Sequence, residues 1–103
     1  MHNIEKIKAL LQQQPNDNFL QHALALEYIK IGDDISAQTL FENILQHDEK
    51  YVGSYYHLAK LLERQGNLQQ AILCYEKGMI IAKQVGDQHA YNELQAALED
   101  SLP

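Results

Sequence analysis

Apolar residues recur at every third or fourth position along most of the chain, the spacing that gathers them on one face of an α-helix. Ile4, Ile7, Leu10 and Leu11 form the first stripe. Pro15 closes that helix, because proline lacks an amide donor and biases the residue before it away from helix. Asp17 suits the N-cap of a second helix, in which Phe19, Leu20, Ala23, Leu24, Tyr28 and Ile31 recur up to Gly32. Asp33 or Asp34 caps a third, with Ile35, Ala37, Leu40, Phe41, Ile44 and Leu45 on its apolar side. The spacing predicts a fourth helix from about Tyr51 to Gln65, carrying Tyr55, Leu58, Ala59, Leu61 and Leu62 and broken by Gly66. Asn67 is placed to cap the fifth, with Leu68, Ala71, Ile72, Tyr75, Met79, Ile80 and Ala82. Gly86 and Asp87 repeat that stop and start before Ala90, Tyr91, Leu94, Ala97 and Leu98. No segment alternates with period two between hairpin turns, so no strand is predicted. Six helices on short turns make antiparallel neighbours.

A shift of 34 residues brings the second and third helices into register with the fourth and fifth. Leu24-Ala25 falls on Leu58-Ala59, Gly32-Asp33 on Gly66-Asn67, Ala37 on Ala71, Phe41 on Tyr75 and Glu42 on Glu76. These positions have physical reasons to repeat. A small residue lets two helices approach, a glycine accepts positive φ at a helix end, and an aromatic fills the space between helix pairs. The stretches Tyr55-x2-Leu58-Ala59-x2-Leu62-x3-Gly66-Asn67-x3-Ala71-x3-Tyr75 and Leu24-Ala25-x2-Tyr28-x3-Gly32-Asp33-x3-Ala37-x3-Phe41 resemble tetratricopeptide (TPR) motifs.

The resemblance implies an all-α, right-handed TPR-type superhelix (an α-α solenoid) of about six helices, a small stand-alone TPR protein forming a single domain over residues 1–103. Residues 3–14 resemble the second helix of a truncated repeat, 18–51 and 52–85 two full motifs, and 87–101 a C-terminal capping helix. Pro15 stands where a preceding repeat would place its terminal proline. Three positions depart from the pattern: Gln21 where a large aromatic is common, Glu49 where proline is common, and Gly78 in place of a small alanine. A glycine inside a helix costs about 1 kcal/mol relative to alanine, which suggests that Gly78 marks a close helix contact. The last helix fits a packing face best with one extra residue before it.

In the TPR family the first helix of each pair lines a concave side that binds a peptide or helix. Carried over residue by residue, that groove would display Phe19, His22, Leu26, Ile29 and Lys30 from the first repeat. Tyr56, His57, Lys60, Glu63 and Arg64 would come from the second, and Tyr91 and Leu94 from the final helix. Leu26 and Ile29 lie off the Leu24–Tyr28 stripe: either they are extra apolar surface of the kind that marks interaction sites, or they pack under the N-terminal helix. Lys60 and Arg64, four residues apart, share a helix face: they are either ordinary solvated charge, offset by the nearby Glu63, or a pair that would favour an acidic group or a terminal carboxylate on a ligand. Co-chaperone members of the family grip a terminal carboxylate with lysine, asparagine and arginine. The matching positions here resemble His22, Leu26, His57, Asp87 and Tyr91, so that clamp is not expected.

Composition narrows the remaining classes. Hydrophobic residues make up 46% and charged residues 21%, which suits a folded chain rather than a disordered one. Eight basic and fourteen acidic residues leave a charge of −6, which opposes binding to nucleic acid or to anionic membrane. No run of about 18 apolar residues could span a bilayer. Met1 to Gln14 mixes polar and apolar residues, unlike a secretory signal. The single cysteine, Cys74, closes no intrachain disulfide. These features point to the cytoplasm. His22 and His57 could face each other, yet no histidine pair shows zincin spacing with carboxylate or thiolate ligands beside it, so no metal and no cofactor are expected. Without a phosphate loop or a paired nucleophile and base, no catalytic residue is assigned and the chain is not expected to be an enzyme. The expected role is a scaffold or adaptor whose partner is a protein or peptide. The alternative is self-association of a homo-oligomer, such as a homodimer.

Overall fold

The computed structural model describes residues 3–103 and the backbone of His2. It holds six α-helices: α1 (His2–Gln13), α2 (Asn18–Lys30), α3 (Asp34–His47), α4 (Gly53–Arg64), α5 (Leu68–Val85) and α6 (Gln88–Ser101). Among the described residues there is no strand, and no helix is long and apolar enough to cross a membrane.

Three helix ends are built alike. Gly32, Gly66 and Gly86 are the positive-φ residues, at 83°, 78° and 75°. Each donates its amide to the carbonyl three residues back, and the residue after it donates to the carbonyl five back: Asp33 to Tyr28, Asn67 to Leu62 and Asp87 to Ala82, at 2.8–2.9 Å. This is the Schellman closure, which needs a left-handed residue and so selects glycine. The next helix starts at once. Asp17 accepts from the Leu20 amide and Asp87 from the Ala90 amide, both at 2.9 Å. Asp33, rather than Asp34, caps α3, accepting from the Ser36 amide at 3.1 Å and from its hydroxyl at 2.7 Å. Asn67 occupies the N-cap position of α5 but makes no side-chain cap bond, contrary to the sequence expectation. The fourth helix also starts later than expected, at Gly53 rather than Tyr51. Tyr51, Ser54 and Tyr55 donate to carbonyls three residues back, so the chain winds tightly there before the α-helix sets in.

The helices group into two compact units, Met1–His47 and Asp48–Pro103. In the first, α2 packs on both α1 and α3. Its core holds Ile4, Leu24, Ala25, Ala37, Phe41 and Ile44. Gln21 is also buried, at 6% exposure. It donates to the Pro15 carbonyl and accepts from Asn43 Nδ2, both at 2.9 Å, so its amide is satisfied without water.

In the second unit α5 packs on α4 and α6, and α6 also touches α4. Tyr55, Leu61, Ala71, Tyr75, Ile81 and Leu94 are buried there with Leu58, Ala59 and Ala97. A Cβ on Gly78 would lie 2.7 Å from Tyr55 Cβ and 3.0 Å from Leu94 Cδ1, so the glycine serves a close approach of α5 to α4 and α6. Tyr55 donates its hydroxyl to the Glu49 carbonyl at 2.6 Å. Residues 55 and 49 stand 34 beyond Gln21 and Pro15. The amide and the phenol therefore tie the same point of their repeats, which explains how Gln21 replaces an aromatic.

Of the positions paired by the 34-residue shift, Leu24 and Leu58, Ala25 and Ala59, Ala37 and Ala71, and Phe41 and Tyr75 are buried in both units, while Gly32 and Gly66 at the helix ends and Glu42 and Glu76 are exposed. The buried stripes are narrower than the sequence spacing implies. Leu10, Phe19, Ile31, Ile35, Leu68 and Ile80 are exposed, Phe19 by 69%. Periodicity marks a face, but the neighbour covers only a part of it, and residues at its margin or in a first turn stay in water.

Candidate functional site

The face of α4 is the most densely built of the surfaces expected to bind. Tyr56, His57, Lys60 and Arg64 recur at helical spacing on a helix whose opposite side, Tyr55, Leu58, Ala59 and Leu62, is buried. The Tyr56 and His57 rings meet edge to face, with centroids 5.4 Å apart. Lys60 Nζ lies 5.7 Å from the Tyr56 ring centre, within cation–π range. The same ammonium is 3.8 Å from a Glu63 oxygen. Glu63 in turn accepts a hydrogen bond from the buried Tyr75 hydroxyl. Burial, then that bond and the Glu63 charge, push the Tyr75 phenol well above its ordinary pKa. Burial lowers the His57 imidazole below its usual 6.5, against a smaller opposing pull from the Glu93 carboxylate on α6. His57 thus favours its neutral form near pH 7. Arg64 is exposed, at the end of the same row.

On α2, Phe19 is exposed, while His22, Leu26 and Ile29 are half-buried. His22 meets Phe41 of α3 edge to face at 5.3 Å. Lys30 is bound to Glu27 at 2.9 Å, and Asn3 donates to the same carboxylate at 3.4 Å. The Lys30 bond is the main cause that lowers the Glu27 pKa.

Tyr91 and Leu94 of α6 part company. Leu94 is 1% exposed and belongs to the core, because it faces the Gly78 gap; the expectation that it joins a binding face is corrected. Tyr91 is half-buried with Lys83 Nζ 4.9 Å over its ring, and it lines an open hollow of about 440 Å³ between α5 and α6. Glu76, Met79, Ile80, Lys83 and Leu98 complete that hollow. Sequence reasoning assigned Met79, Ile80 and Leu98 to packing faces, and the only available hint was that α5 carries more apolar residues than one stripe needs.

Among the described residues no three His, Cys, Asp or Glu side chains gather to hold a metal ion. The side chain of His2 lies outside that description. Cys74 is half-buried and its thiol points to the Tyr55 carbonyl at 3.5 Å.

Two helix pairs repeating every 34 residues, each turned between its helices by a Schellman glycine and packed through small residues, define an all-α helical-repeat protein. Solved structures agree. The chain is 40% identical to a tetratricopeptide repeat domain protein from Salinibacter ruber in its crystal structure, over 82% of this chain and 94% of that one, with a TM-score of 0.80. A solution NMR structure of a tetratricopeptide repeat domain protein from the same organism matches at 40% identity over 84% and 88%, with a TM-score of 0.81. A protein from Bordetella parapertussis, also solved in solution, is 28% identical over 95% and 85%, with a TM-score of 0.82. No protein-family model and no curated protein matches the chain. The chain belongs to the tetratricopeptide repeat family. That membership supports a protein-interaction module in general, of a kind that is typically non-catalytic.

Proposed function

We propose that the protein is an adaptor that binds a peptide segment or an amphipathic helix of another protein through the exposed faces of its first-of-pair helices. On this reading Tyr56, His57, Lys60 and Arg64 of α4 form the recognition row of the second unit, with Tyr91 of α6 as a further contact there, and Phe19, His22, Leu26 and Ile29 of α2 form a candidate face of the first unit by itself. The observation that carries it is the α4 row itself. An aromatic pair backed by a buried helix face holds a lysine beside it, and a second cation follows one turn later. Such a row offers ring surface for an apolar side chain and positive charge for an acidic one. A ligand of mixed apolar and acidic character fits this face, and it would draw Lys60 from Glu63.

The experiment is a peptide-display selection on the full chain, followed by affinity measurement with wild type and the Tyr56→Ala/Arg64→Ala variant. Selected peptides should be rich in Asp or Glu beside apolar residues. Their affinity should fall by about tenfold or more in the variant, the scale of losing an interface anchor. Peptides that bind both proteins equally would remove the α4 row from the site.

A further inference from the structure

The hollow between α5 and α6 plays no part in the α4 row, and its α5 wall has an order of its own. From the N-terminal end it reads Glu76, Met79, Ile80, Lys83: an acid, two apolar residues and a base. The spacing is symmetric about the midpoint between Met79 and Ile80, and the charge reverses across that midpoint. A two-fold axis through it lays a second copy of α5 antiparallel on the first. Glu76 of each copy then opposes Lys83 of the other, and Met79 opposes Ile80. A parallel copy in the same register would set acid on acid and base on base. Self-complementarity of this kind is what an isologous interface requires.

The surroundings suit such a contact. Ile80 is 60% exposed, and Leu73, two turns earlier on the same line of α5, is exposed as well. The other wall is Tyr91 and Leu98 of α6, half-buried side chains with surface still to cover. Tyr91 holds Lys83 at the lip of the hollow, where an incoming carboxylate can reach it.

We propose that this hollow is the contact face of a homodimer, in which antiparallel α5 helices of two copies pair Glu76 with Lys83 twice around a centre of Met79 and Ile80. The dimer takes Tyr91 out of the peptide-contacting set but does not use the α4 row, and it presents two α4 rows at once, so a ligand with two binding segments gains by avidity.

Sedimentation of the full chain over a concentration series reaching about 1 mM, a range that covers weak association, tests it. Wild type should dimerise reversibly, and less at high salt. Glu76→Lys and Lys83→Glu should each weaken the dimer by about tenfold or more, since each turns two attractions into repulsions. An equimolar mixture of the two variants should recover dimers, because a copy with two lysines then meets a copy with two glutamates. The mixture is also the folding control, as unfolded chains recover nothing. A wild type that stays monomeric to about 1 mM overturns the proposal and leaves the hollow to a helix of another protein. So does a mixture that dimerises no better than either variant alone.

Discussion

At Gly78 a methyl group has no room. Alanine there gains about 1 kcal/mol of helix propensity, but its Cβ would stand 2.7 Å from Tyr55 Cβ. Overpacking against a rigid neighbour costs about 1–3 kcal/mol, so Gly78→Ala should lower the urea midpoint. An unchanged or higher midpoint would mean that α4 and α6 yield at no cost. His57 carries a pH dependence. Its folded pKa lies below the unfolded 6.5, so the unfolded chain binds more protons in that window. The contribution is whole above pH 6.5 and declines as pH falls through the depressed value. The melting temperature should therefore drop between about pH 7 and pH 5, and drop less in His57→Gln; parallel curves for the two proteins would contradict this. The sequence pointed to a close contact at Gly78, because a mid-helix glycine needs a reason. It held nothing on where the Gln21 amide bonds, since Pro15 and Asn43 meet it only through the fold. The burial of Leu94 was hidden for the same reason: it follows from which neighbour Gly78 admits.

Helix ends are where local chemistry and fold agree most closely. The three glycines and their following Asp or Asn were legible because positive φ and side-chain capping are properties of single residues. What a sequence withholds is whether a cap residue turns its oxygen onto the helix. Asp33 does and Asn67 does not, although they stand 34 residues apart at equivalent places. Asp33→Ala should cost about 1 kcal/mol, and Asn67→Ala only a few tenths. Thermal unfolding followed by circular dichroism would expose equal losses, which the geometry does not allow. The late start of α4 was equally hidden, because no side-chain bond marks Val52, whose own dihedrals are already helical.

Across the chain, the 34-residue register was visible because small and aromatic residues recur where the packing requires them. The hollow between α5 and α6 was not, because it is made by two helices whose spacing no periodicity encodes. Stability should also vary along the molecule. In α1 only Ile4 is buried among the described side chains, and the helix packs chiefly on α2. α4 buries Tyr55, Leu58, Ala59, Leu61 and Leu62. Amide exchange should therefore be fastest in α1 and slowest in α4 and α5. Uniform protection over all six helices would show instead that the array opens only as a whole.

Gln21 and Tyr55 fasten the corresponding carbonyls of their repeats with groups that differ in one respect: only the phenol has a proton to lose. Burial, then the Glu49 charge, push the Tyr55 hydroxyl up to about 12. Its tie to the Glu49 carbonyl is therefore whole below the free phenol's pH 10 and surrendered as pH climbs toward 12. The carboxamide is indifferent to alkali. Caustic solution should thus unfasten the turn ahead of α4 while its counterpart ahead of α2 still holds.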